Sequence, residues 1–198
     1  MKDSPPAFEH VWHHRHPSLA NPTISGFSGT SIILLKRLGG YSMNTSEVNE
    51  LQQLWRQYRL PNFEKDPRIN LALERIYSMN YGSNSEDKLI DCWIALEALY
   101  KKENEIRGIG GHVGRRLLSI PEMSGGNRVL AKAIKKTINR SYQCRDAIVH
   151  GKCEWNSGTV EANDGSLYNV KDYLNKTVNY LRISLKLILL NNIDLDSL

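Results

Sequence analysis

The sequence lacks a long apolar run. Nothing in it approaches the roughly 18 residues that a membrane-spanning helix needs, so no membrane association is expected. The opening MKDSPPAFEH has no charged stretch followed by an apolar one, which argues against export. Cysteine is scarce. Cys92, Cys144 and Cys153 are an odd number without metal-ligand spacing, so neither a disulfide framework nor a zinc site is expected. A reduced, cytoplasmic chain fits best. No internal repeat is visible. Carboxylates are almost missing from one long segment. Between Arg107 and Lys152 stand six arginines and four lysines against only Glu122 and Asp146, a net +8, which leaves −3 for the rest of a chain whose total is +5. A focused basic region points to a polyanion, usually a phosphate backbone; its plainer reading is a solvated helix face.

What is present is ordinary for a globular protein. The 198 residues are 40% hydrophobic and 24% charged, enough for one main domain with a true core and room for an appendage. Residues 1–43 read as an irregular arm or the remnant of an upstream region. Pro5, Pro6, Pro17 and Pro22 argue for loops there, with one short strand at Ser31–Leu35. The run from His10 to His16 invites a metal site, but no second ligand cluster supports it, and no metal or cofactor is expected.

From residue 44 to 198 helices follow one another. Asn44-Thr45-Ser46-Glu47 is a capping start, after which Val48, Leu51, Trp55 and Tyr58 recur at helical spacing until Pro61. Asp66-Pro67 opens a second helix with Ile69, Ala72, Leu73, Ile76 and Tyr77 on its apolar stripe, ended by Gly82. Ser83-Asn84-Ser85-Glu86 is a capping-box pattern for a third. That helix, through Tyr100, is apolar around most of its circumference and should be central and buried. A glycine-rich break and a short helical piece to Ile120 follow. GIGGHVG there follows a helix, not a strand, and lacks the Gly-Lys-Ser/Thr ending of a phosphate loop.

The fourth long helix starts near Asn127 and ends at His150-Gly151. Leu130, Ile134, Ile138 and Val149 mark its apolar seam, and Lys132, Lys136, Asn139, Arg140 and Gln143 its wet face. Residues 151–168 read as a polar connection, folding as a small hairpin. A final helix from about Asn169 to Leu190 turns Val170, Leu174, Val178, Leu181, Leu185 and Ile188 inward. The sum is an all-α bundle of about five helices.

Two charges look misplaced on these faces. Arg145 lies seven residues after Ile138, about 20° from it on the wheel, and Glu97 bears the same relation to Ile90. Buried charges are costly unless paired, so Glu97 and Arg145 are expected to meet in or near the core. On their own they would be an ion pair that orients two helices. His150 lies five residues after Arg145, about 140° around a regular helix, so one straight helix cannot aim both at one point. The helix end, or a second copy across a two-fold axis, is needed to gather them. Asp146 sits four residues before His150 and can fix its tautomer, in a setting suited to proton transfer; a lone histidine there would merely cap the helix.

Arg145-Asp146-Ala147-Ile148-Val149-His150 is an R-x4-H motif. It resembles the motif of HEPN-family ribonucleases. The setting is similar to the Apea-like HEPN branch, in which a helix like Ile94-Ala95-Leu96-Glu97-Ala98-Leu99 precedes a basic stretch and a helix ends in Tyr-x-x-Arg-x-x-x-Val-His-Gly. Tyr142, Arg145, Val149, His150 and Gly151 supply that ending here. The resemblance covers about residues 66 to 190, and departs at Asp146, where many members carry Asn or Ser.

The resemblance implies a HEPN-type helical fold and a metal-independent endoribonuclease. In that chemistry the ribose 2′-hydroxyl attacks the adjacent phosphate and leaves a cyclic phosphate end. His150 would be the acid/base and Arg145 the phosphate-holding group, with Asp146 orienting His150 and Glu97 orienting Arg145. Lys132, Lys135, Lys136 and Arg140 would track the RNA backbone. It also implies a homodimer with a composite site, a regulatory or antitoxin partner, and a role in phage defence or as a toxin. A different reading is a catalytically inert HEPN module that dimerises, binds nucleotides or pairs with a partner protein. A third is a helical nucleic-acid-binding regulator that uses the basic helix.

Overall fold

A computed structural model of the chain describes residues 43–81, 84–152, 158–161, 165 and 167–198. The histidine run at 10–16, the strand expected at Ser31–Leu35 and Cys153 lie outside the described residues. The chain divides into two compact units, Met1–Gln53 and Leu54–Leu198. The division falls inside the first helix, whereas the sequence sets the boundary at 43/44.

Seven α-helices and one two-stranded sheet occur among the described residues, an all-α architecture. Helix α1 (Thr45–Tyr58) opens on a reciprocal cap: Glu47 N–H donates to Asn44 Oδ1 at 2.9 Å and Asn44 N–H to Glu47 Oε2 at 3.0 Å. The short α2 (Pro61–Glu64) begins where Pro61 fixes φ. Helix α3 (Pro67–Tyr81) has Asp66 before its N1 proline, and Asp66 Oδ1 accepts Arg68 N–H at 2.8 Å. Helix α4 (Ser85–Tyr100) is capped by Asn84, which accepts Asp87 N–H at 2.7 Å. Helix α5 (Ile109–Ser119) and a 3-10 turn at Pro121–Met123 lead to α6 (Arg128–Val149), capped by Asn127. Strands β1 (Thr159–Glu161) and β2 (Leu167–Asn169) form the expected hairpin, antiparallel with Val160 opposite Tyr168, and α7 (Val170–Leu190) completes the bundle.

Helix α4 is the central one. Leu89, Cys92, Trp93, Ala95 and Leu96 are fully buried, and α4 packs against α3, α5, α6 and α7. All six residues expected to face inward on α7 are buried. The seam of α6 needs correction. Ile134 and Ile138 are buried, but Leu130 is 43% and Val149 50% exposed. Leu130 lies about 80° off the Ile138 direction in the first turn, and Val149 keeps that direction but falls in the last turn.

The core carries one polar chain. Trp93 Nε1 donates to Ser141 Oγ at 2.9 Å, the Ser141 and Thr177 hydroxyls are 2.8 Å apart, and Thr177 Oγ1 donates to Tyr173 C=O at 2.6 Å. Since the Thr177 proton is used on that carbonyl, Ser141 is the donor between the two hydroxyls. The chain pins α4, α6 and α7 in one register, because a slip would leave buried donors unpaired.

Candidate functional site

The end of α6 is built by a glycine stop. Gly151 has φ +67°, Gly151 N–H donates to Ile148 C=O at 3.1 Å, and Lys152 N–H to Ala147 C=O at 2.8 Å. This six-to-one, five-to-two pattern closes the helix one residue after His150, which becomes its C-cap. His150 therefore stands at an open rim, with 61% of its side chain exposed. Its Nε2 lies 3.3 Å from Asp146 Oδ1 one turn earlier, the neighbour relation expected at that spacing.

Arg145 is paired with a different carboxylate. Its Nη2 lies 3.6 Å from Glu97 Oε1 on α4, and the two side chains are 23% and 18% exposed. They meet at the edge of the core, close enough for Coulomb attraction but beyond hydrogen-bond distance. Arg145 Nε and Glu97 Oε1 are buried and have no hydrogen-bond partner among the described residues. Lys101 Nζ stands 3.8 Å from the other Glu97 oxygen, so the carboxylate sits between two cations. The Arg145 guanidinium also lies 5.8 Å from the Tyr142 ring centroid, and Tyr142 packs edge-on against Trp93 at 4.9 Å. Burial raises the Tyr142 phenol above its ordinary value, against the opposing pull of Arg145. The sequence-predicted residues thus form two pairs, Glu97–Arg145 and Asp146–His150. The contacts of Arg145 and those of His150 share no group.

Farther back along α6 lies a shallow groove of about 400 Å³. Lys132, Lys135, Lys136 and Arg140 all line it, together with Asn139, Gln143 and Tyr168, and no carboxylate does so among the described residues. Tyr168 comes from β2. Its buried ring carries the Arg140 guanidinium 5.4 Å from its centroid on one contact and Tyr173 edge-on at 5.3 Å on another. Sequence reasoning missed Tyr168. The hairpin was legible, but which strand residue would meet α6 depends on the register that sets Tyr168 opposite Val160.

Part of the basic stretch serves the fold. Arg116 makes paired hydrogen bonds to Glu105, 2.6 Å to Oε2 and 2.5 Å to Oε1, and also donates to Tyr100 C=O. His112 Nδ1 is 2.6 Å from Glu105 Oε1. The Arg116 hydrogen bonds hold the Glu105 carboxyl down at about 2. Glu105 lies two positions outside the carboxylate-poor segment, and closes the α4–α5 connection against it. No group of three or more His, Cys, Asp or Glu that could hold a metal occurs among the described residues, and none of their helices is long and apolar enough to cross a membrane. None of the family models, curated proteins or solved structures compared with the chain matches it.

Proposed function

We propose that this chain is an endoribonuclease of the HEPN type, cutting RNA without metal by 2′-hydroxyl attack on the neighbouring phosphate. The observation that supports it most is the placing of His150: exposed, beside the Asp146 carboxylate, on the helix whose preceding turns line a basic groove. Such a group can take the 2′-hydroxyl proton and return one to the leaving 5′-oxygen. The new bond joins the 2′-oxygen to phosphorus, the phosphorus–5′-oxygen bond breaks, and a 2′,3′-cyclic phosphate and a 5′-hydroxyl result. Arg145 neutralises the charge that builds on the phosphate oxygens, and Glu97 positions it.

In one chain Arg145 is paired with Glu97 and His150 with Asp146, so the reading requires a homodimer in which the groups of two chains meet at one phosphate. A C2 pairing of the α6 ends supplies two such constellations.

A second reading, the inert HEPN module, draws on Arg145 itself, whose guanidinium is occupied by Glu97 and Tyr142 as a structural pair would be. Incubating wild-type and His150→Ala protein with total RNA in chelator separates the two. Cleavage by the wild type alone, with cyclic phosphate ends, supports the nuclease. Cutting that needs added metal, or equal cutting by both proteins, contradicts it, and no cutting of any RNA leaves the inert module.

A further inference from the structure

The groove and His150 belong to one stripe of α6. Lys132, Lys136, Asn139, Gln143, Asp146 and His150 follow at spacings of four, three, four, three and four residues, which keeps them on one side of the helix. The two amides interrupt the cations within the groove, so its lining is not a charge patch alone. Lysines hold phosphate without regard to sequence. An amide does something different: it offers a donor and an acceptor side by side, the pattern that matches a base edge. Asn139 and Gln143 have that capacity available, because neither side-chain amide hydrogen-bonds another described residue. Asn139 also stands close to α5, where a Cβ added at Gly110 would come within 3.3 Å of its Oδ1. At the far wall Arg140 lies over the Tyr168 ring, which fixes a flat guanidinium beside the amides.

We infer that this groove is a base-reading subsite for single-stranded RNA. The lysines hold the sugar-phosphate chain and Asn139 and Gln143 hold the edge of a base. Gln143 precedes His150 by seven residues, about 10 Å along the helix, a span of about three nucleotides stacked at 3.4 Å each. The base that is read therefore lies about three nucleotides from the bond at His150 when the strand is stacked. A duplex hides its base edges from such a shallow groove, so an open strand is the form that fits. The placing of the cut rests on the nuclease reading; the subsite itself does not.

Binding of a short, labelled, mixed-sequence 2′-fluoro oligonucleotide tests it, because that strand lacks the attacking hydroxyl and cannot be cut. An abasic strand with the same backbone is the control. Wild-type protein should bind the base-bearing strand more tightly than the abasic one. Asn139→Ala and Gln143→Ala should each weaken binding to the base-bearing strand by about fivefold or more, the low end of what an amide–base contact gives, and leave the abasic strand unaffected. Lys136→Ala should weaken both strands alike and make the salt slope shallower by about 0.7. Circular dichroism and melting of each variant check that the fold is kept. Equal wild-type affinity for the two strands, or amide variants that bind both as the wild type does, would overturn the subsite, as would failure to bind either strand. Base-selective binding together with no cleavage of any RNA would retain the subsite and remove the nuclease.

Discussion

Asp146 Oδ1 lies 3.3 Å from Nε2 of His150, while Arg145, the residue just before Asp146, reaches Glu97 on α4 at 3.6 Å. Neighbouring residues on one helix turn are separated by about 100°, so a single turn of α6 serves both the core edge and the open rim. The two pairs should respond differently to mutation. The His150 side chain is 61% exposed, so His150→Ala should shift stability by less than about 0.5 kcal/mol while removing RNA cleavage. Chemical denaturation and a cleavage assay on the same preparation check both halves. A large loss of stability would assign His150 a structural role.

Glu97 and Arg145 should cost more when separated. A surface pair is worth about 0–1 kcal/mol, and breaking a fully buried one costs about 3–5 kcal/mol. This pair is about one-fifth exposed and not hydrogen-bonded, so Arg145→Met should cost on the order of 2 kcal/mol, read from the urea midpoint. Glu97→Gln keeps the shape and removes the charge. If Glu97 positions Arg145 for phosphate, this variant should lose cleavage well beyond its loss of stability. Activity that falls only in proportion to the folded fraction would make the pair purely architectural.

Much of this was legible in the sequence for identifiable reasons. Helical starts were readable because Asn44 and Asp66 act locally, through their own next turn. The sequence pattern places the third start one residue early, since Asn84 caps α4 onto Asp87 where the sequence offers a box from Ser83 to Glu86. The Glu97–Arg145 meeting was readable because two charges broke otherwise apolar stripes. Tyr168 and the Glu105–Arg116 tie were not. Each depends on how separate elements dock, and neither breaks a local pattern. The exposure of Val149 was missed for a similar reason: helical phase says which way a residue points but not whether a neighbour reaches that far.

The Glu105 tie predicts acid sensitivity. Its carboxyl is held at about 2, mainly by Arg116, against an ordinary value of 4.5. The group is lowered in the folded chain, so its contribution is fully present above pH 4.5 and is lost as pH falls toward 2. Glu105→Gln should lower stability at neutral pH and flatten the decline between those two values. Melting temperature against pH for both proteins checks this. A parallel decline in the two curves would show that Glu105 is not the group responsible.

Two neighbouring glycines of α5 should respond with opposite sign. Alanine is favoured over glycine within a helix by about 1 kcal/mol, so propensity alone predicts a gain at both. A Cβ at Gly111 would meet only Asn139 Oδ1, at 3.9 Å, an ordinary contact. A Cβ at Gly110 would lie 2.8 Å from Tyr142 Cβ and 3.2 Å from its Cγ. That is the root of a ring packed on Trp93, not the free end of a flexible chain, so it cannot swing aside. Overpacking of this kind costs about 1–3 kcal/mol, which outweighs the propensity gain. Gly111→Ala should therefore raise the melting temperature slightly and Gly110→Ala lower it. Because Tyr142 also carries the Arg145 guanidinium on its ring, Gly110→Ala should reduce cleavage per folded molecule as well, whereas Gly111→Ala should not. Equal stability changes at the two positions would mean that α5 and α6 are not in close contact at Gly110.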